Sequence, residues 1–232
     1  EYLEGFTNWK RDLLEGKCDV SLSEAAGQLL GEIHTYSWGD KTAEREFSTL
    51  DNFEQLRIDP YLRATAAKHS TLTNRILVEA DRLRQMRRCL VHGDFSPKNL
   101  LHRDGRLVLV DCEVAWFGDP AFDLAFFLNH LLLKSLYHAP QSSAFESLIW
   151  VAWESYRNAN PHAPEIESHV THLLPMLMLA RVDGKSPVEY LSDEAKLHYV
   201  REFATAEILK ERSCDMDALL CTWFNQLNRL KQ

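Results

Sequence analysis

Between Val91 and Glu113 the chain carries an aspartate, an asparagine and a second aspartate at spacings that suit phosphate chemistry. The segment reads Val91-His92-Gly93-Asp94-Phe95-Ser96-Pro97-Lys98-Asn99-Leu100-Leu101, and Val110-Asp111-Cys112-Glu113 follows. Asp94 and Asn99 share one loop, just before a predicted strand. Asp111 ends the return strand. A hairpin between them brings Asp111 back beside the loop, so two carboxylates and one amide oxygen converge. Hard oxygen ligands of this kind suit Mg²⁺, which keeps waters and shares its shell with phosphate oxygens. A remaining carboxylate orients an attacking hydroxyl and accepts its proton. Phosphoryl transfer needs this equipment.

The elements that must hold these residues follow from local signals. Leu100-Leu101-His102 and Leu107-Val108-Leu109-Val110 flank Arg103-Asp104-Gly105-Arg106. Asp-Gly between two apolar runs predicts a hairpin, the only clear β segment of the sequence. Cys89-Leu90-Val91 is a short apolar run before the loop. Asp119 is a good N-cap and Pro120 suits the first helical position, so a helix runs from Pro120 to about Leu136. Its stretch from Leu124 to Leu136 contains Asn129, His130 and Lys134. That is too short and polar to span a bilayer, and it reads as a buried helix.

Helical periodicity dominates elsewhere. Ser21-x-x-Glu24 is a capping box ahead of Ala25, Leu29, Leu30 and Ile33. Further helices are expected over about 43–57, 71–88, 142–158 and 165–182. Ser186-Pro187-Val188-Glu189 is a second capping box. Ser192 is expected to start a helix to about Arg212, and a last helix covers about 216–230. The fold class is mainly α with a small embedded β-hairpin.

The composition sets limits. The chain has 232 residues, of which 45% are hydrophobic and 26% charged, enough for a sizeable core. The net charge of −8 gives no support to a nucleic-acid partner. It is compatible with a cationic small molecule, or simply with a solvated acidic surface. Five widely spaced cysteines, Cys18, Cys89, Cys112, Cys214 and Cys221, suit reduced thiols in a cytoplasmic protein. Neither a signal peptide nor a membrane span is legible.

Three motifs together resemble the catalytic core of the aminoglycoside phosphotransferase and choline kinase superfamily, which has a protein-kinase-like fold. They are His92-Gly93-Asp94 with Asn99, then Asp111-Cys112-Glu113, then Gly118-Asp119-Pro120-Ala121-Phe122-Asp123-Leu124-Ala125. Leu30-Gly31-Glu32-Ile33-His34 is similar to the family's early helix, and Arg181-Val182-Asp183-Gly184-Lys185-Ser186-Pro187 to a late segment of some members. The resemblance implies ATP (or GTP) and Mg²⁺ as cofactors and a small-molecule hydroxyl as acceptor. It makes Asp94 the catalytic base, and Asn99 and Asp111 the metal ligands. His92 becomes a brace of the loop, and Asp123 either braces it from the next helix or is a charge favoured at that helix's N-terminus. Leu101 and Val110 become the floor under the nucleotide base. Glu113 either assists the metal or substrate, or only ends the strand. Lys98 either offsets charge on the transferred phosphate, or is solvated.

The resemblance also defines what is missing. The family's N-terminal lobe, with its glycine-rich loop and strand lysine, has no counterpart in this sequence, which has only nine glycines. Glu1-Tyr2-Leu3-Glu4-Gly5 resembles the hinge between lobes, with Tyr2 and Leu3 against the nucleotide. The expectation is therefore a hinge remnant over 1–5 and a single C-terminal lobe over 6–232, with its catalytic hairpin over about 90–116. Alone, such a lobe is expected to turn over weakly or not at all. An apolar surface left exposed at the hinge would favour a dimer or an N-lobe partner. An aminosugar ranks first as acceptor; Glu154, Glu165, Glu167, Asp183 and Glu189 either meet a cationic substrate or, for most of them, are simply charge on helix surfaces. The alternative is a non-catalytic relative that binds a ligand or partner. A metal-dependent hydrolase is weaker, because it leaves Asn99 and the Gly118–Ala125 motif unexplained.

Overall fold

The computed structural model describes residues 3–211 and 215–229. A two-residue strand, β1 (Thr7–Asn8), leads into α1 (Trp9–Leu14). The next helix, α2 (Val20–Tyr36), is capped by Asp19, whose side chain accepts from the Ser21 N–H at 2.9 Å. The expected capping box at Ser21 thus lies inside the first turn. Its hydroxyl donates to Asp19 as well, at 2.7 Å, so Asp19 starts the helix instead.

The single helix expected over 43–57 is broken. α3 (Lys41–Glu46) ends where the Phe47 carbonyl turns away to accept from Phe117 at 2.8 Å. α4 (Leu50–Phe53) then opens into a π-helical stretch, Glu54–Arg63, which contains Pro60 and runs on into α5 (Ala64–Lys68). Proline has no N–H for a regular α-helical bond, and wide turns of this kind concentrate at functional sites. α6 (Thr73–Gln85) follows.

The β structure comprises β2 (Cys89–Val91), β3 (Leu100–Arg103), β4 (Arg106–Leu109) and β5 (Trp116–Gly118). β3 and β4 form the expected hairpin, with Leu100 opposite Leu109. Its turn residues Asp104 and Gly105 both have positive φ, 49° and 77°. The structure adds pairings that the sequence did not reveal. β1 lies antiparallel on β3, and β2 is antiparallel to β5 with Val91 opposite Trp116. Strands of two or three residues are too short to show an alternating pattern.

The remaining helices are α7 (Pro120–Tyr137), α8 (Ser142–Ala159), α9 (Ala163–Asp183), α10 (Glu194–Leu209) and α11 (Met216–Arg229). No helix starts at Ser186. Its carbonyl and hydroxyl both accept from Arg181 Nη1, and the Val188 N–H returns to the Arg181 carbonyl. The segment therefore folds back over the end of α9. α10 begins at Glu194 under an Asp193 cap, not at Ser192.

α7 runs through the centre, packed on α8 and α9, while α2 lies along α8. Its Phe127 is fully buried, as are Trp9, Phe95, Trp153 and Trp223 from other elements. Each such side chain contributes about 1.5–3 kcal/mol through burial. Among the described residues no helix is long and apolar enough to cross a membrane. Cys18, Cys89, Cys112 and Cys221 are free thiols. Cys214 lies outside the described residues.

Candidate active site

The loop between β2 and β3 is held from beneath by α7. Asp119 caps that helix by accepting from the Ala121 N–H. Arg82, from α6, pairs with Asp119 and with Glu79. Burial opposes the Arg82 charge, but Glu79 and Asp119 outweigh it and hold the guanidinium protonated. One turn further along α7, Asp123 is fully buried. Its carboxylate accepts from the backbone N–H of His92 at 2.6 Å and of Gly93 at 2.9 Å. Gly93 sits at φ 74°, and a Cβ there would lie 2.7 Å from the Val114 carbonyl oxygen. Only glycine lets the loop turn this close to the 111–114 segment.

His92 is held at both ring nitrogens. Its Nδ1 accepts from the Asp94 N–H at 3.1 Å, and Nε2 lies 3.2 Å from the Val110 carbonyl. Both contacts are satisfied by the tautomer with its proton on Nε2. Asn99 donates its side-chain N–H to the Asp94 carbonyl at 3.0 Å, and its own carbonyl accepts from Val110 at 3.0 Å. The loop and the end of β4 are thereby tied together, with Asp111 one residue beyond the tie. Asp111 sits at φ 69°, a left-handed conformation that costs a non-glycine residue about 1 kcal/mol.

The expected ligands differ in exposure. Asn99 is buried, whereas Asp111 and Glu113 are exposed. Among the described residues, no three His, Cys, Asp or Glu side chains cluster closely enough to hold a metal ion. The donor set nevertheless fits Mg²⁺. The Asn99 side-chain N–H is committed to Asp94, which leaves its amide oxygen for a ligand. The Asp111 carboxylate has no hydrogen bond or ion pair among the described residues. One amide oxygen and one carboxylate suit an ion that completes its shell with phosphate and water. Leu101 and Val110 are half-buried on the hairpin, as is Leu3 near the start of the chain. Tyr2 lies outside the described residues.

Asp94 is nearly buried, at the edge of a cleft of about 290 Å³. Its Oδ2 meets Lys98 Nζ at 2.7 Å and Arg57 Nη2 at 3.1 Å. Its Oδ1 accepts no hydrogen bond among the described residues. Lys98 is thus not simply solvated: its amine sits on the carboxylate. Arg57 also donates to the Gly93 carbonyl, which fixes the loop and the carboxylate together. Sequence reasoning missed Arg57. It belongs to the π-helical stretch, whose winding shifts which side chains face the site.

A second support was legible only as a resemblance. His34, in the Leu30–His34 motif, is fully buried with Nε2 3.5 Å from Asp123 and Nδ1 2.9 Å from the Tyr156 hydroxyl. Asn160 donates to that same hydroxyl at 2.7 Å. The chain of polar groups runs from α8 through α2 to Asp123, which holds the loop between β2 and β3.

The acids proposed to meet a cationic acceptor are mostly engaged elsewhere. Glu154 pairs with Arg157, Glu165 with His162, and Asp183 with Arg201 and His69. Glu167 accepts from the Met216 N–H. Glu189 alone of the five lines the cleft, largely exposed and 4.0 Å from Lys10.

The phosphotransferase enzyme family, APH, matches residues 1–161. No curated protein matches the chain. Among solved structures, an amicoumacin kinase in complex with AMP-PNP and Ca²⁺ is similar at 18% identity and a TM-score of 0.42. It covers 93% of this chain and 61% of its own. A glucosamine kinase in complex with glucosamine, ADP and inorganic phosphate is similar at 15% identity and a TM-score of 0.45. It covers 99% of this chain and 62% of its own. The chain therefore spans a little over three-fifths of these solved structures' length.

Proposed function

The chain belongs to the phosphotransferase enzyme family, and from that premise we propose that it carries the catalytic and acceptor-binding part of a small-molecule kinase. The reaction is transfer of the terminal phosphoryl group of ATP (or GTP) to a hydroxyl of a small molecule. One observation carries most of this reading. Asp94 stands at the edge of a cleft, in a loop whose backbone N–H groups are held by buried Asp123 and whose carbonyl is held by Asn99.

In this reading Asp94 Oδ1 orients the acceptor hydroxyl and takes its proton, while Lys98 and Arg57 fix the carboxylate through Oδ2. Asn99 and Asp111 hold Mg²⁺, with Glu113 as a further carboxylate nearby in the chain. When bound, the ion neutralises charge on the nucleotide phosphates. Leu101 and Val110 give the nucleotide base an apolar floor, and Tyr2 and Leu3 meet its edge. Residues 1–5 form the hinge of that nucleotide site, and the rest of the chain is one helical lobe acting in the cytoplasm.

The acceptor was expected to be an aminosugar. Such a substrate needs carboxylates around it, and among the described residues the cleft supplies only Asp94 and Glu189. The hydroxyl acceptor therefore stands in this proposal without the amine.

Two measurements test it. Calorimetric titration with Mg²⁺ and ATP or GTP should show binding that Asp111→Asn loses. Phosphoryl transfer by the full-length gene product should fall by about 10²–10⁴-fold in Asp94→Ala. Transfer unchanged in that variant, or phosphoester hydrolysis without nucleotide, would overturn the assignment.

A further inference from the structure

The wall of the cleft beyond Asp94 is cationic. Lys10, Arg57, Lys98, Lys134 and Arg181 line it, against the carboxylates of Asp94 and Glu189. Arg57 and Lys98 are already matched to Asp94. Glu189 points largely into solvent and approaches Lys10. Lys134 and Arg181 are left with no carboxylate partner among the described residues.

Their surroundings make that absence informative. Lys134 is fully buried. Its amine donates to the His130 carbonyl at 3.2 Å and lies 5.1 Å from the centre of the Tyr190 ring. Arg181 spends Nη1 on Tyr61 and Ser186, while its Nε is buried without a partner among the described residues. The Tyr190 hydroxyl is likewise buried without a partner. A buried charge is normally paired, and a buried donor normally bonded. Here two cations and a hydroxyl are left short of acceptors around one cavity.

We infer that the acceptor molecule carries an anionic group, a carboxylate or a phosphate, which Lys134, Arg181 and the Tyr190 hydroxyl bind while its hydroxyl reaches Asp94. The second clause rests on the phosphotransferase reading. The first rests on the cleft alone. Phe126, His130 and Lys134 step along α7 one turn apart, which puts Lys134 about 12 Å along the helix from Phe126. Lysine side chains on a helix lean back toward its N terminus, which shortens that span. A cleft of this size suits a small metabolite with its anion and hydroxyl at opposite ends.

The state of Lys134 agrees. Burial, then the nearby charges of Lys10 and Arg181, push its amine down to about 7. His130, beside it, is held neutral by burial and the same cations, Lys134 among them. A bound anion would restore the ammonium form. The Lys134 amine is therefore a built-in reporter.

The test follows the Lys134 side chain by NMR in the full chain labelled with ¹³C-lysine. Lys134→Met identifies its resonance. The probes are inorganic phosphate, glycerate and glucosamine. At least one anion should raise the Lys134 midpoint by about one pH unit, a tenfold preference for the charged form. Response to phosphate alone indicates a phosphorylated acceptor, and response to glycerate alone a carboxylate. Tyr190→Phe keeps the ring and should weaken anion binding by about threefold to tenfold. The inference fails if neither anion moves Lys134, or if glucosamine moves it as far. It also fails if Lys98→Met abolishes phosphate binding while Tyr190→Phe leaves it intact, because the anion then sits at Asp94. Titration of the same sample with Mg²⁺·ATP separates the two proposals. Nucleotide binding without an anion response sinks this inference alone. An anion response in this chain, together with phosphoryl transfer left unchanged by Asp94→Ala in the full-length gene product, sinks the phosphotransferase reading and leaves the anion site standing.

Discussion

Asp123 and Lys134 both lie on α7, three turns apart, and both are fully buried. Asp123 is surrounded by donors: two backbone N–H groups, with His34 behind them. Behind His34 stands a tyrosine, Tyr156, whose hydroxyl also accepts from Asn160. Lys134 has one carbonyl and the face of a tyrosine, Tyr190, whose hydroxyl is unbonded. The two sites share parts, an ion and a tyrosine on a central helix, and differ in completeness. The protein itself completes the site that holds the loop between β2 and β3. The site that lines the cleft is left for something outside the chain to complete. A buried charge thus indicates structure when its partners are present and a ligand when they are missing.

The largest consequence falls on the complete site. Asp123→Ala leaves the N–H groups of His92 and Gly93 buried without acceptors, and each such group costs about 1–3 kcal/mol. The expected loss is about 3–5 kcal/mol, read as a lowered midpoint in denaturant. A loss under about 1 kcal/mol would mean that water replaces the carboxylate, and the loop is then not held from α7. Asp123→Asn keeps one acceptor oxygen and should fall between the two.

Lys134→Met should act in the opposite sense. Methionine fills similar space without a charge to desolvate, and such replacements often stabilise by about 1–4 kcal/mol. The effect depends on pH in a defined direction. The folded amine titrates near 7, below its ordinary 10.5. Below pH 7 both folded and unfolded chains hold the proton, and the cost of burial is at its full size. Between 7 and 10.5 the unfolded chain holds a proton that the folded chain has released. Wild-type stability therefore rises with pH through this window, by up to about 1.4 kcal/mol per unit. The advantage of Lys134→Met should be largest at pH 6–7 and shrink toward pH 10. A gap that stays constant over that range would mean that the folded chain already supplies Lys134 with a counter-charge.

The two sites were not equally legible in the sequence. The loop motif, the Asp104-Gly105 turn and the Asp119-Pro120 helix start are local, with signals confined to a few neighbouring residues. All of them stand where the sequence puts them. The metal and nucleotide roles of Asn99, Asp111, Glu113, Leu101 and Val110 remain proposals. Lys134 was visible as a polar residue inside an apolar helix, but its missing partner was not, since partners come from α9 and the 186–190 segment. Ser186 illustrates the difficulty. Its spacing to Glu189 spells a helix cap, yet its oxygens are taken by Arg181. Arg57 was hidden for another reason: the π-helical winding around Pro60 changes the phase of the helix, and periodicity assumes a constant one.

The tyrosines sharpen the comparison with smaller effects. Tyr156→Phe removes the hydroxyl that connects His34 to Asn160, leaving a buried amide N–H and an imidazole nitrogen short of a partner. About 1–2 kcal/mol of stability should be lost.

Tyr190→Phe is the matched change on the other side, and the smallest. The deleted hydroxyl is buried and bonds to nothing among the described residues, so no partner is stranded. The ring keeps its contacts with Tyr137, at 5.4 Å, and with the Lys134 amine. Stability should stay within about 0.5 kcal/mol of wild type, or rise slightly as an unsatisfied polar group leaves the interior. The contrast between the two variants is more telling than either value, because both delete one buried phenolic oxygen. Equal losses would mean that the Tyr190 hydroxyl has a partner in the folded chain, and the case for a ligand there would lose one of its three donors. Unequal losses, with Tyr190→Phe near zero in stability yet weaker in anion binding, would separate what the hydroxyl does for the fold from what it does for a ligand.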